Sequence, residues 1–311
     1  MLSLSNRFKT SPVMLIIGLF CINLNVIAQR VRLFEYPDSV STSRVVGLSS
    51  VALTGTSSAV LVLGNEWYSS YDVVSFHFFN DNKEWLQIDK FGHGLSAYYG
   101  GVYGYNAVKW SGISEKKSLW IGGLYGFGFL MGTEIMDGYS SGWGASYGDL
   151  VANGLGTGLF VFQQAKFKRQ LFCPKFSFHF SKYAKYRSEL LGSTKWDRWL
   201  KDYNGQTYWL TFSPADFIQS TKLPKWLGLS VGYGATGMLG GKENPEFNSE
   251  GEVLPFFERH RQYYLSIDLN FQHVKTNSAF FNAFLRGVSF IKIPAPTVSF
   301  DKGLKFFPLY Y

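Results

Sequence analysis

Three short segments of the sequence carry side chains whose types and spacing suit proton transfer or cation binding. The first is Asp89-Lys90-Phe91-Gly92-His93. On a helix Asp89 and His93 share a face, because residues four apart are neighbours there. The second is Glu134-Ile135-Met136-Asp137-Gly138, with two carboxylates three apart. The third runs from Ser146 to Gly154 and sets Asp149 and Asn153 four apart. His93 is the residue type for a general base or proton carrier near neutral pH. Asp89 or Glu134 could orient it and raise its pKa. Glu134, Asp137 and Asp149 together have the oxygen chemistry to hold a divalent cation. No organic cofactor is expected. Asp89, His93, Glu134, Asp137, Asp149 and Asn153 are therefore the candidate site residues.

Each segment also has a plainer reading. Ser146-x-x-Asp149 fits a capping box at a helix start, and Asp89 fits an N-cap. Asp137-Gly138 can end a helix and turn. Glu134 is harder to dismiss: it follows a long apolar run, where a carboxylate must be paired, protonated or functional. Lys90 and His93 are its candidate partners. Asn80-Asp81-Asn82 lacks the glycine and terminal glutamate of a calcium loop and reads as a turn. No nucleophile elbow, phosphate loop or zincin motif accompanies these residues.

The elements that must position the segments are short apolar runs. Residues 45–65, 94–108, 118–133 and 150–165 contain no charged side chain. Only the first reaches the ~20 residues of a full membrane span; the others suit core helices or short spans. Gly122 and Gly126, Gly128 and Gly132, and Gly154 and Gly158 are each four apart. That spacing lets helix backbones approach closely. The polar segments lie at the ends of these runs, so antiparallel packing would bring Asp89, His93 and Glu134 together, with Asp149 and Asn153 nearby.

Beyond residue 170 the pattern changes to a period of two. Leu265, Ile267, Leu269 and Phe271 alternate with Ser266, Asp268, Asn270 and Gln272. Phe176, Phe178 and Phe180 alternate with Ser177, His179 and Ser181. Both read as half-buried strands. Residues 226–238 and 304–311 are further strand candidates, 281–291 is ambiguous, and Asn204-Gly205 reads as a hairpin turn. The expected fold class is α+β: a membrane-associated bundle of short glycine-rich helices, then an antiparallel β-rich region. A complete outer-membrane barrel is the alternative, weakened by about six strands where at least eight are needed.

Composition narrows the setting. The 311 residues are 46% hydrophobic and only 17% charged, which excludes a disordered tail and a highly charged nucleic-acid module. Residues 1–28 read as a signal peptide: Arg7 and Lys9, an apolar stretch, then Val26-Ile27-Ala28. Cleavage would leave Gln29 first and lower the formal charge from +8 to +6, since it removes two basic residues and no acid. Phe20 before Cys21 does not fit a lipidation signal. Cys173 would then be alone, which excludes an intramolecular disulfide. The expected organisation is a signal at 1–28, a helical domain at 29–170 and a β-rich region at 171–311.

Asp-Lys-x-x-His, Glu-x-x-Asp-Gly and Ser-x-x-Asp-x-x-x-Asn-Gly, in this order, resemble the YfiM-like family over residues 85–165. Its members are predicted periplasmic proteins of unknown function, often lipoproteins. The Asp-Lys-x-x-His and Asp-x-x-x-Asn elements also resemble VanZ-like membrane proteins. Residues 76–82, 202–209 and 294–296 look like those of longer, Bacteroidetes-type members. The resemblance implies a bacterial envelope protein, in the periplasm or outer membrane of a Gram-negative cell, and supplies no activity. Three functions are open: a non-enzymatic envelope protein whose polar cluster is structural or binds a lipid headgroup, an enzyme on a lipid-linked or envelope substrate, and a pore. Expected partners are membrane lipid or other envelope components, and no nucleic acid.

Overall fold

The structure is a computed structural model and describes residues 35–68, 71–218 and 222–310. The expected signal peptide, its cleavage point and Cys21 lie outside the described residues, as does Tyr311. The first described helix, α1 (Thr42–Leu63), has no buried residue. At ~1.5 Å per residue its 22 residues span about 33 Å. Among the described residues it is the one helix long and apolar enough to cross a membrane.

A two-stranded parallel pair, β1 (Phe78–Phe79) and β2 (Ala145–Ser146), brackets the helical part. Between and after them run α2 (Ile88–Trp110), α3 (Glu115–Ile121), α4 (Tyr125–Gly138) and α5 (Tyr147–Phe167). Asp89 in the first turn of α2 and Lys109 in its last complement the helix dipole. Tyr98, Tyr99, Tyr105, Leu119 and Phe160 make the core between α2, α3 and α5. Glycine lets the backbones meet: a Cβ on Gly126 would stand 2.5 Å from the Ala97 carbonyl oxygen and 2.9 Å from Gly100 Cα. Gly122 likewise faces Gly104 and Tyr105. The other spaced pairs behave differently. Gly128, Gly132, Gly154 and Gly158 face open space, so close packing does not explain them.

The second half opens with β3 (Phe172–Phe178), then the short helices α6 (Ser188–Leu191) and α7 (Lys195–Lys201). It continues with β4 (Gln206–Phe212), β5 (Leu227–Thr236), β6 (His260–Leu269), α8 (Ala279–Gly287), β7 (Ala295–Asp301) and β8 (Gly303–Tyr310). The six strands β3 to β8 form one antiparallel sheet in sequence order. The sheet curls, so that the Thr207 hydroxyl on β4 and the Tyr310 hydroxyl on β8 lie 2.9 Å apart. Among the described residues its edges β3 and β8 do not pair with each other, and no closed barrel forms. The alternative of a complete barrel, with a pore through it, is corrected on that ground.

One ambiguous segment is resolved and one local expectation fails. Residues 281–291 begin as helix, because the Ser278 hydroxyl caps α8 by accepting from the Phe281 N–H. Asn204-Gly205 does not join two strands. It sits in a short 3-10 turn, buried, with Asn204 Nδ2 donating to the Met238 carbonyl and Asn204 Oδ1 accepting from the Met238 N–H. The tertiary contact to Met238 fixes that turn, where local propensity alone suggested a hairpin.

A candidate site: a buried charge cluster beside an apolar cavity

The first two turns of α2, the end of α4 and the start of α5 converge, together with the loop after β1. Lys90 stands at the centre. Its Nζ lies 2.6 Å from Asp81, 2.9 Å from Asp89 and 2.9 Å from Asp149. The ammonium therefore already fills the space among these three carboxylates, where a metal ion would otherwise sit. His93 lies beside them. Its Nε2 is 3.7 Å from Asp149 Oδ1, and its Nδ1 is 3.8 Å from Glu134 Oε1 and 3.2 Å from Asn153 Oδ1. Asp89, His93, Glu134, Asp149 and Asn153 thus come together. Asp137 is turned aside: its carboxylate accepts from the Tyr68 hydroxyl at 2.6 Å.

Ser146 explains how Asp149 stays free for this work. Its hydroxyl caps α5 by accepting from the Asp149 N–H at 3.1 Å. In a full capping box Asp149 would return the favour to the Ser146 N–H. Here that N–H donates to Glu134 Oε2 at 2.9 Å instead, and the Ser146 hydroxyl donates to Asp81 at 2.5 Å. Asp89 is not an N-cap either; Gln87 occupies that place.

Asp81 and Lys90 are the members that sequence reading mislaid. Asp81 reads as part of a simple turn, and Lys90 and His93 as the candidate partners of Glu134, of which His93 is the one beside it, at 3.8 Å. The signal for Asp81 is tertiary. Trp85, Leu86 and Gln87 all have left-handed φ, between 47° and 67°. That turn, costly by ~1–2 kcal/mol per residue, leads from the loop carrying Asp81 into α2. It is held by the Trp85 N–H donating to the Gly241 carbonyl and the Tyr233 hydroxyl donating to the Leu86 carbonyl.

Charge and burial set the protonation. Burial pushes the Glu134 carboxyl up to about 8, against the Ser146 N–H that favours its ionised form, and nearby Asp149 adds to the rise. Burial likewise raises Asp149 to about 6, although His93 and Lys90 pull the other way. Asp89 and Asp137 are raised for the same first reason. Burial would also raise Asp81, but hydrogen bonds from Lys90 and Ser146 hold it below the usual carboxylate value. Burial disfavours the Lys90 ammonium, and the Asp89 and Asp149 charges more than offset it, so its pKa is raised.

Glu134 Oε1 and Asn153 Nδ2 are buried without a hydrogen-bond partner. His93, Glu134 and Asp149 each turn one donor atom toward the others, all within 4.8 Å. These three can hold a divalent cation in place of a proton on Glu134, or pass a proton between Glu134 and His93.

The cluster is not sealed. His93 and Asp89 also line a cavity of about 530 Å³ whose other walls include Leu95, Tyr99, Leu130, Phe176, Trp199 and Tyr208. Cavities of ~300–1,000 Å³ with few polar groups are the usual shape of small-molecule sites.

Residues 77–165 match the model of a family described as a predicted periplasmic lipoprotein (DUF2279). The matched segment contains every member of the charge cluster. The description agrees with export to the envelope. No curated protein and no solved structure matches the chain.

Proposed function

We propose that this is a membrane-associated envelope protein that binds an amphipathic, lipid-class ligand, with the ligand's polar end at His93 and Asp89. The observation that carries this reading is the cavity: aromatic and aliphatic along most of its wall, with a buried charge cluster at one place. An apolar chain fits the first and a polar headgroup the second. The likeness of the three polar motifs to the YfiM-like family, of residues 76–82, 202–209 and 294–296 to its longer Bacteroidetes-type members, and of the Asp-Lys-x-x-His and Asp-x-x-x-Asn elements to VanZ-like membrane proteins supports an envelope setting.

The test is titration of the detergent-purified protein with a fluorescent phospholipid. Ser96 lines the cavity on an exposed face of α2, so Ser96→Trp fills the space while leaving every charged side chain of the cluster unchanged. Saturable binding by the parent protein, lost in Ser96→Trp, supports the reading. Equal binding by both, or none by either, sinks it.

A second reading is favoured by the Glu134 carboxyl, whose pKa of about 8 beside an imidazole suits proton transfer. In that case the protein is an enzyme on a lipid-linked substrate. Chemical conversion of the bound lipid by the parent protein, but not by Glu134→Gln, separates it from plain binding.

A further inference from the structure

The sheet is inside out for a protein in water. One face of β4 to β7 carries Thr211, Ser230, Ser266, Asp268, Thr297 and Ser299, each at most 4% exposed. Apart from the Ser299 hydroxyl, which is buried without a partner, these groups are satisfied within the protein. Lys175 Nζ lies 2.8 Å from Asp268, Thr211 donates to Asp268 at 3.0 Å, Thr211 and Ser230 hydroxyls are 2.7 Å apart, and Thr297 donates to Ser266 at 2.9 Å. Lys292, also buried, donates to the Ile267 and Ile293 carbonyls at 2.9 Å.

The opposite face is apolar and uncovered. Val231, Leu265 and Ile267 are each 45–49% exposed, and Phe300, Leu304 and Phe306 are at least as open. Register places Val231 beside Leu265, Leu265 beside Val298 and Val298 beside Phe306, so this is one continuous surface across four strands. The helical part covers the same face toward β3 and β4 and at the Tyr233 end of β5, where Phe91 stacks on Tyr208 and Tyr233. A sheet solvated on one face normally turns its polar side outward. The reverse is the arrangement of strands in hydrocarbon, where polar groups must be satisfied internally.

Its dimensions fit. From Trp226 to Tyr233 the chain advances seven residues, about 24 Å at ~3.4 Å per residue. The apolar band of outer-membrane strands is ~25 Å tall. Trp226 flanks one end of the band and Tyr263, also half exposed, the other; Tyr263 lies opposite Tyr233, whose own ring is covered by Phe91. Exposed Lys225 and Arg261 follow immediately beyond them. Aromatic residues backed by basic ones match the interface and its phosphates. The sheet edge at β3 is covered, since the Phe176 N–H donates to the Phe290 carbonyl and the Lys292 N–H to the Phe176 carbonyl. On the other edge Pro308 removes one donor.

We infer that the outward face of β5 to β8 lies against the hydrocarbon of a bilayer, so that the chain is embedded by one face of an open, curled sheet. This uses none of the cavity residues, and it stands or falls separately from ligand binding.

Nitroxide probes on single introduced cysteines test it. Leu265→Cys and Ile267→Cys report the face, and Phe256→Cys, 91% exposed in a loop, reports water. The full chain without an added cysteine gives the background. In phosphatidylethanolamine–phosphatidylglycerol vesicles, collision with oxygen relative to a water-soluble nickel chelate should be several-fold higher at 265 and 267 than at 256. Nickel collision at 265 and 267 matching that at 256 overturns the inference. So does shielding from both reagents, which would mean that protein, such as a second copy, covers the face. All three positions are exposed, so the substitutions leave the packed interior intact.

Discussion

Lys90 is the residue on which the cluster turns. It neutralises Asp81, Asp89 and Asp149 within 3 Å, at 12% side-chain exposure. Lys90→Met removes that charge and leaves three buried carboxylates facing one another. Breaking a buried pair from one side costs ~3–5 kcal/mol, so a large fall in the denaturant midpoint is expected; a shift within error would show that the carboxylates find other partners. Glu134 sets the pH behaviour. Its folded pKa, about 8, lies above the ordinary glutamate value of 4.5. The folded state therefore holds the proton more tightly, and its stability falls as pH rises through that window. Asp149 contributes in the same direction between 3.8 and about 6. Melting temperatures of the parent protein should decline from pH 6 to pH 8, and Glu134→Gln, which imitates the protonated carboxyl, should flatten that decline. A parent protein that gains stability over this range would contradict the assignment.

At the scale of elements, the helices show why a four-residue glycine spacing has no single meaning. Gly126 meets the Ala97 carbonyl of α2 at a distance that leaves no room for a methyl group. Gly126→Ala should destabilise by ~1–3 kcal/mol, because overpacking forces the backbones apart. Gly128, two residues on, faces open space. Gly128→Ala should stabilise by about 0.5–1 kcal/mol through helix propensity alone. Thermal melts of the two variants should move in opposite directions. The same contrast applies to the strands. Alternation at 265–272 locates the second half of β6, which ends at Leu269, whereas Asn270 caps a 3-10 turn over Phe271–His273; it marks a half-buried strand without saying which face is buried. In the structure Tyr264, Ser266 and Asp268 are buried, and Leu265 and Ile267 are exposed. A period of two says that a strand has two unlike faces; it does not say which one meets the solvent.

At the scale of the whole molecule, two apolar surfaces remain uncovered: α1, with no buried residue, and the outward side of the sheet. Together they predict that the mature chain stays in the pellet after alkaline carbonate washing. Recovery of a monodisperse protein without detergent would assign both surfaces to water. Processing is a separate prediction. Mass spectrometry of the protein from envelope fractions should find Gln29 at the N-terminus. A lipid on Cys21 would instead agree with the lipoprotein in the matched family's description and overturn the argument from Phe20.

What the sequence determined by itself is local. It located the apolar runs, the switch to strand periodicity after residue 170, and the pairs Asp89/His93 and Asp149/Asn153 that a helix must set on one face. These follow from periodicities of 3.6 and 2, which are properties of neighbouring residues. Four matters were decided only by tertiary structure. Asp81 joins the site because a left-handed turn carries it there from a segment that reads as a loop. Lys90 serves three aspartates and not Glu134, because Ser146 directs its own N–H to Glu134. The charge cluster opens onto a cavity because α2 packs across β3 and β4. The sheet turns its polar side inward because it curls, bringing Thr207 and Tyr310 together, and curling is a property of strands that are distant in the chain. Each of these depends on which distant groups meet when buried charges and hydrogen-bonding groups must be satisfied, a requirement that no local window of residues expresses.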